Sequence, residues 1–144
     1  MGDLTASLGR SEYACRCNCG FDTVDYSLVV MHQDLVDHFG GFETVRIDIT
    51  GPNRCREYND SLRKEYELSG GKSGAQTAKG SMHIYGRAGD IKLYYRDTGQ
   101  QISPTKVYKY LDEKYAGQYG FKLYHNRVHT DTRDTAWRSD ELDR

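Results

Sequence analysis

The most constraining feature of this sequence is the order of its helical and strand periodicities. Apolar residues recur every three or four positions across residues 24–39, which predicts a helix capped by Asp22 or Thr23 and ended by Gly40. Residues 44–50 then alternate strictly between apolar and polar side chains, as a half-buried strand does. The chain therefore begins with a helix followed by a strand.

The same periodicities continue along the chain. Residues 90–96 alternate like a second strand, and Ser103 with Pro104 supplies the N-cap and the first position of another helix. The remaining predicted elements are a polar helix and two short strands, at residues 56–66, 121–124 and 128–132. The order α-β-α-β-α-β-β predicts an α+β fold in which a small antiparallel sheet is flanked by helices.

The length of 144 residues fits one core, and 12 tyrosines can bury ring area while their hydroxyls stay wet. Residues 68–80 lack periodicity and predict a surface loop. Residues 134–144 are mostly charged around Trp137, which predicts a frayed or loosely docked tail. His32 and His38 on the first helix are interpreted as surface or packing residues.

The charges of the chain are balanced, with 20 basic against 21 acidic side chains and a formal net charge of -1. No global field therefore favours nucleic acid or an anionic membrane as a partner. Neither a signal-peptide apolar stretch near the N-terminus nor an apolar run of about 18 residues is found, so we expect no classical export signal and no membrane insertion. Oligomeric state is not predicted by any pattern.

Three of the four cysteines, Cys15, Cys17 and Cys19, are spaced two residues apart, and Cys55 stands alone. Direct disulfides within the trio are unfavourable, because alternate side chains in an extended segment lie about 7 Å apart. One interpretation is a turn-rich segment with packed or half-exposed thiols. The other is a structural metal site, for which a fourth ligand, for example Cys55, would have to lie nearby.

Two pairs of side chains suit a catalytic metal. His83 precedes Asp90 by seven residues across two glycines, which let the chain fold back so that both side chains can face one point. His129 and Asp131 lie two apart on a predicted strand and so share a sheet face. Imidazole and carboxylate suit zinc, and three such ligands leave a fourth position for water. Spacing alone leaves this site a hypothesis, since most domains of this size contain such residues.

Longer motifs occur in the order in which a known family has them. They are Ile49-Thr50-Gly51-Pro52-Asn53-Arg54-Cys55 with Asn59, Ser81-x-His83-x-x-Gly86-x-Ala88-x-Asp90, Val128-His129-x-Asp131-x-Arg133 and, near the N-terminus, Tyr13-Ala14-Cys15-x-Cys17-x-Cys19-Gly20. Together they resemble the zinc D-alanyl-D-alanine carboxypeptidase family, which includes cell-wall carboxypeptidases and phage endolysins. The resemblance implies a zinc peptidase domain at residues 13–133, an N-terminal extension at 1–12, a tail at 134–144, and the fold shared with the hedgehog signalling domain.

The resemblance also assigns roles to individual residues. It implies that His83, Asp90 and His129 bind one Zn²⁺ ion and that Arg54 recognises the substrate, for which a guanidinium fork gripping a carboxylate or carbonyl oxygen is well suited. Ser81 would help to bind the substrate. A loop hydroxyl that bonds its own backbone is the alternative interpretation of Ser81.

The general base departs from the family pattern. Related branches have an acid three residues before the last ligand, but Asn126 occupies that position and cannot accept a proton near neutral pH. Asp131 is the leading candidate because it shares a strand face with His129. The alternative role for Asp131 is to orient a histidine or to pair with Arg133. His125 is the second candidate base.

The resemblance implies a zinc-dependent peptidase that hydrolyses stem or cross-bridge peptides of bacterial peptidoglycan. An arginine aimed at a terminal carboxylate favours D-Ala-D-Ala carboxypeptidase action, whereas a longer open groove favours an endopeptidase. By analogy we expect a phage or prophage protein, made without a signal peptide and brought to the cell wall by a holin or on a virion. The alternative is a non-catalytic, zinc-stapled module that binds cell wall or belongs to a virion.

Overall fold

The structure is a computed structural model that describes residues 2–74 and 81–143. The described residues form three α-helices and five β-strands, in which helix and strand alternate up to the third strand and two further strands follow. Their bounds are α1 Tyr26–Phe39, β1 Val45–Gly51, α2 Arg56–Leu68, β2 Ala88–Tyr95, α3 Pro104–Lys114, β3 Gly120–Leu123, β4 Val128–Asp131 and β5 Trp137–Asp140. Of the surface loop predicted at residues 68–80, residues 69–74 form turns and bends, and residues 75–80 lie outside the described residues.

The N-cap of helix α1 lies three residues after Asp22, the first of the two predicted cap residues. Its N-cap is Asp25, whose side chain accepts from the backbone N–H of Ser27, so the prediction of Asp22 or Thr23 is wrong. The cause is tertiary, because the Asp25 N–H donates to the carbonyl of Gly86 at 2.7 Å and holds the residues before it extended. The predicted end is confirmed, since Gly40 has a φ of 140° that disfavours other residues.

The five strands form one sheet in the order β1-β2-β4-β3-β5. Neighbouring strands are antiparallel except for β3 and β5, which are parallel, so the predicted antiparallel sheet is in fact mixed. Of the two states predicted for the tail, frayed or loosely docked, the structure shows docking, because Trp137–Asp140 adds the fifth strand. Arg138 fastens this strand by donating to the carbonyls of Tyr115, Gln118 and Tyr119.

Apolar side chains of α1, α3 and the sheet meet in one buried cluster. Helix α1 contributes Leu28, Met31 and Leu35, all without solvent exposure, and burying each such side chain stabilises the fold by roughly 1.5–3 kcal/mol. The strands and α3 contribute Val45, Ile47, Ile49, Ile91, Leu93, Val107, Leu111, Phe121, Leu123 and Val128. The α+β class is thus confirmed. Within the described residues, no helix combines the length and apolarity that crossing a membrane requires.

A buried histidine links α1 to β4 on this core face. His32 Nε2 lies 2.8 Å from Thr130 Oγ1, which donates its own proton to the carbonyl of Gly89 at 2.6 Å. Nε2 must therefore carry the proton, and Nδ1 accepts from the Tyr13 hydroxyl at 2.9 Å. Burial lowers the pKa of His32 to about 3, so the ring is neutral. The predicted packing role of His32 is confirmed.

Candidate metal centre

Strand register brings Asp90 and His129 together. They are direct partners in the antiparallel pairing of β2 with β4, where facing side chains are about 5 Å apart. His129 Nδ1 lies 2.9 Å from Asp90 Oδ1. On the other side Asp90 faces Gly51 of β1, and a Cβ at residue 51 would overlap the Asp90 carboxylate. Glycine at this position therefore makes room for the acid.

His83 reaches the same point from a short 3₁₀ helix, Met82–Tyr85, that immediately precedes β2. The Ser81 hydroxyl oxygen caps this helix by accepting from the His83 backbone N–H at 3.2 Å. His83 Nδ1 lies 3.0 Å from the Pro52 carbonyl, which can only accept, so Nδ1 carries the proton and Nε2 is unprotonated. Burial lowers the pKa of His83, which keeps Nε2 available as a ligand.

The three side chains have the separations of a metal-binding group. One ligand atom from each of His83, Asp90 and His129 lies within 4.8 Å of the others. Asp90 Oδ1 is 2.9 Å from His129 Nδ1 and 3.7 Å from His83 Nε2. Nitrogen and oxygen ligands about 2.1 Å from a tetrahedral zinc ion are roughly 3.4 Å apart, which falls between these two distances. The structure thus brings together the three residues that the sequence predicted to converge.

Asp131 holds His129 from the opposite side. His129 Nε2 lies 2.8 Å from Asp131 Oδ2, and the Arg133 guanidinium donates to both oxygens of this fully buried carboxylate at 2.7 and 2.6 Å. Burial alone would raise the pKa of Asp131, but the hydrogen bonds from His129 and Arg133 outweigh it and lower that pKa. The carboxylate is therefore ionised and fully engaged. This geometry matches the orienting role that the sequence left open beside the base role.

The two carboxylates together change the charge of His129. Burial would lower its pKa, but hydrogen bonds and Coulombic attraction from Asp131 and Asp90 raise it to about 9. At Asp90 the same pairing works in reverse, since the histidines lower the pKa that burial would raise. Without a metal the ring is an imidazolium between two acids, and a metal ion has to replace the proton on Nδ1.

Arg54 and Ser81 lie beside the three candidate ligands. The Arg54 backbone N–H donates to the carbonyl of His83 at 3.0 Å, which fixes the segment after β1 against the 3₁₀ helix. The Arg54 guanidinium donates to Ser81 Oγ at 3.4 Å. Partial burial lowers the pKa of Arg54, yet a guanidinium stays charged at neutral pH. Ser81 thus bonds the backbone, as its alternative interpretation held, and also contacts the arginine.

The candidate ligands open onto a cleft of about 750 Å³. Basic and aromatic side chains dominate its wall, namely Arg54, Tyr66, Lys72, Lys122, Tyr124, Arg127, Arg133 and Trp137. Glu141, in the 3₁₀ helix that follows β5, lines the same cleft and is the acid there besides Asp90 among the described residues. The positive wall suits an anionic substrate.

Several of these wall residues, among them Lys122, Arg127, Trp137 and Glu141, were not assigned to a site from the sequence. Lys122 faces His129 across the pairing of β3 with β4, which only the register reveals. Trp137 packs edge-on against His129 with ring centroids 6.2 Å apart, and Arg133 lies over its ring. A lone tryptophan in a charged tail was the available signal for a docked segment.

His125, the second candidate base, is not brought to the cleft. It is exposed in the turn between β3 and β4, and it is absent from the described residues that line the cleft. Asn126 is exposed in the same turn, where its carbonyl accepts from Gln101.

Comparison of the chain with protein-family models, with curated proteins and with solved structures found no match. The family resemblance therefore stays a prediction that rests on the motifs. The metal-binding geometry does not depend on this resemblance, because the side chains of His83, Asp90 and His129 lie close enough together to hold a metal ion.

Proposed function

We propose that this protein is a zinc-dependent peptidase that hydrolyses peptide bonds in the stem peptides of bacterial peptidoglycan. The observation that carries the proposal is the convergence of His83, Asp90 and His129, from three separate elements, on one point at the edge of a basic cleft. The motif resemblance supplies the substrate class, and by the same analogy the protein would come from a phage or prophage. The following steps concern what each side chain does.

The donor set fits zinc. Two imidazole nitrogens and one carboxylate oxygen are the ligands of many catalytic zinc sites, in which three protein ligands leave one position open. Zinc bound there supplies a Lewis acid that polarises a carbonyl group and acidifies water. Both histidines are oriented for this purpose, because His83 is fixed by the Pro52 carbonyl and His129 by Asp131.

The basic wall supports recognition of a substrate carboxylate. Arg127 lies over the Tyr124 ring at 3.8 Å, and Arg133 is engaged by Asp131. Among the described residues the Arg54 guanidinium makes one long side-chain hydrogen bond, to Ser81 Oγ at 3.4 Å, and Arg54 lines the cleft, where its other N–H groups can meet a substrate. A stem peptide that ends in a free carboxylate meets such donors in bidentate geometry, which favours carboxypeptidase over endopeptidase action.

Glu141 is the cleft carboxylate best suited to accept a proton from the attacking water. Asp131 is buried and already bonded by His129 and Arg133, whereas Glu141 is partly exposed and lines the cleft. A carboxylate in this place takes a proton while the carbonyl is attacked and returns it to the leaving amine as the peptide bond breaks. Glu141→Gln is expected to keep zinc and lose most turnover, and undiminished turnover would reject this role.

Mass analysis of muropeptides after digestion tests the proposed function directly. Purified cell walls of several peptidoglycan types are incubated with the zinc-loaded protein and with His129→Ala as the matched control. We expect loss of a terminal D-alanine or cleavage of a cross-link with the parent protein only. Stoichiometric zinc without any released amino acid or new amine from any wall type would overturn the enzymatic proposal.

The alternative function is a non-catalytic module in which zinc staples the fold and the cleft binds cell wall. One observation favours it: Asn126 replaces the acid expected three residues before His129, and Asp131 is fully engaged. A protein that sediments with walls, keeps zinc and releases nothing would support this alternative.

A further inference from the structure

A second group of potential metal ligands is formed by three cysteines of the N-terminal segment and by the cysteine at the start of α2. The sulfur atoms of Cys15, Cys17, Cys19 and Cys55 all lie within 4.8 Å of one another, and all four cysteines are free thiols. The distance between the sulfurs of Cys15 and Cys17 is 3.3 Å, and that between Cys17 and Cys55 is 3.6 Å. Cys55 lies 36 positions after Cys19 in the sequence, so the cluster is a product of folding.

The turn after Cys15 explains how residues spaced two apart converge. The Cys15 N–H donates to the Phe21 carbonyl at 2.8 Å, and the Asn18 N–H donates to the Cys15 carbonyl at 3.3 Å. Asn18 has a φ of 64°, the left-handed conformation that asparagine tolerates better than most residues. The chain therefore closes on itself here, and the 7 Å spacing of an extended segment does not apply.

Cys55 is presented by the start of a helix. It is the N-cap of α2, and its sulfur accepts from the Tyr58 N–H at 3.4 Å, while its own N–H donates to the Cys15 sulfur at 3.3 Å. The Tyr58 N–H and the positive end of the helix favour thiolate over thiol, whereas desolvation and the hydrogen bonds with Cys19 and Cys15 raise the pKa of Cys55 overall, so a metal ion has to displace its proton. Hydrogen bonds of this kind also orient metal ligands.

We infer that Cys15, Cys17, Cys19 and Cys55 form a structural zinc site with four thiolate ligands, separate from the histidine and aspartate group. Sulfurs about 2.3 Å from a tetrahedral zinc ion are roughly 3.8 Å apart, close to the separations in the structure. Four ligands complete the coordination shell, so this ion holds structure and leaves no position for a substrate. Binding releases thiol protons to solvent and involves no electron transfer.

The site connects the N-terminal segment to the segment between β1 and α2 that carries Arg54. The Asn53 N–H donates to the Tyr13 carbonyl at 3.0 Å, and Cys55 follows Arg54 directly. Cys17 and Cys19 are exposed, so little apolar burial holds the loop in place. A metal ion thus replaces the hydrophobic core that this loop lacks.

Cobalt substitution of the full chain tests the inference, because thiolate ligands give charge-transfer absorption in the near ultraviolet and imidazole or carboxylate ligands do not. Two double variants are compared. One carries Cys17→Ser and Cys19→Ser, and the other carries His83→Ala and His129→Ala. We expect the histidine variant to keep the thiolate absorption and the cysteine variant to lose it together with one bound ion per chain. Unchanged absorption and metal content in the cysteine variant would overturn the inference, as would the absence of thiolate absorption in the histidine variant.

Alkylation of the parent protein keeps the inference testable if the cysteine variant does not fold. Because Cys17 and Cys19 are exposed, iodoacetamide should modify them at once unless a metal binds them. We expect zinc-loaded protein, purified under reducing conditions, to resist modification until a chelator is added. Immediate modification, or a disulfide between Cys17 and Cys55 in the mass spectrum, would contradict the site.

Discussion

A histidine lies against each face of strand β4, His32 of α1 on the core face and His129 of β4 itself on the cleft face, and the two imidazoles have opposite properties. On the core face His32 bonds the hydroxyls of Thr130 and Tyr13, and burial lowers its pKa to about 3. On the cleft face His129 lies between the carboxylates of Asp90 and Asp131, which raise its pKa to about 9. Burial is common to both, so the ionised partners decide the charge of the ring.

The histidine on one face of β4 therefore contributes to the stability of the fold, and the histidine on the other face is a candidate metal ligand. Neutral hydroxyl partners make His32 part of the core, where a hydrogen-bonded polar group fixes how α1 sits on the sheet. Charged partners make His129 a site that exchanges a proton for a metal ion. His32 contacts Thr130, the residue that follows His129 in β4. We nevertheless expect replacement of His32 to lower stability and replacement of His129 to abolish metal binding.

His129→Ala gives the largest expected effect on the cleft face. Loss of a direct ligand should lower zinc affinity by more than the roughly 10–100-fold that loss of an orienting partner costs, and peptide release should fall to background. Zinc content after dialysis and muropeptide analysis measure both. Circular dichroism should match the parent protein, and full zinc retention would contradict the assignment of His129 as a ligand.

His32→Ala is the corresponding change on the core face. It leaves a cavity and removes the hydrogen-bond partner of Tyr13 and Thr130, so we expect the free energy of unfolding to fall by about 2–4 kcal/mol. Urea denaturation measures the loss. Zinc stoichiometry at the histidine and aspartate group should be unchanged in the folded fraction, and a selective loss of that zinc would break the separation of the two faces.

The pH dependence of the metal-free protein should differ in sign between the two histidines. The pKa of His129 is higher in the folded than in the unfolded chain, where it is about 6.5, so its stabilisation is full below pH 6.5 and is lost as pH rises toward 9. His32 has a lowered pKa, so its contribution is full above pH 6.5 and is lost as pH falls toward 3. Each slope is at most about 1.4 kcal/mol per pH unit.

Urea denaturation with a chelator between pH 4 and 10 isolates these slopes when the parent protein is compared with each alanine variant. The alkaline slope should shrink only in His129→Ala, and the acidic slope only in His32→Ala. If the free energy of unfolding depended on pH in the same way in all three proteins, neither histidine would have the shifted pKa that its partners and burial predict.

Asp131→Asn sharpens the comparison by removing one carboxylate from the cleft face. An amide can still accept from His129, but it does not stabilise positive charge, so we expect zinc affinity to fall roughly 10–100-fold. Competition with a chromogenic chelator measures this change. Turnover at saturating zinc should be largely kept, and its complete loss there would restore Asp131 as the general base.

Arg54→Lys is expected to have the smallest effect. Lysine keeps the charge but cannot form two parallel hydrogen bonds, so KM should rise roughly tenfold while kcat changes little. Lys72→Arg, at the outer wall of the cleft, is the control. An unchanged KM in Arg54→Lys would remove the assigned role in substrate recognition.

The alternation of residues 128–131 was enough to predict that His129 and Asp131 share a face, because side chains alternate along any strand. The spacing of His83 and Asp90 across two glycines indicated that both could face one point, and the motif resemblance then named them as ligands together with His129. What the sequence did not contain was the register that sets Asp90 opposite His129, since pairing between strands is decided by tertiary packing. The choice between the two roles of Asp131 also needed coordinates.

Two misses have clear physical reasons. The tail was predicted to be frayed or loosely docked because residues 134–144 are mostly charged, yet backbone pairing with β3 and the bonds of Arg138 hold Trp137–Asp140 in the sheet. The cysteine spacing left two interpretations open, because the left-handed turn at Asn18 that gathers the sulfurs is not specified by the C-x-C-x-C pattern.

Docking of β5 also sets the order of events during synthesis. Trp137 and Glu141 form part of the cleft wall, so a chain still in the ribosome can pair its first four strands before that wall exists. The candidate ligands would then meet in an open groove, and the wall closes only after the last strand emerges. Until β5 has docked, the polypeptide would therefore be folded in outline around an incomplete cleft.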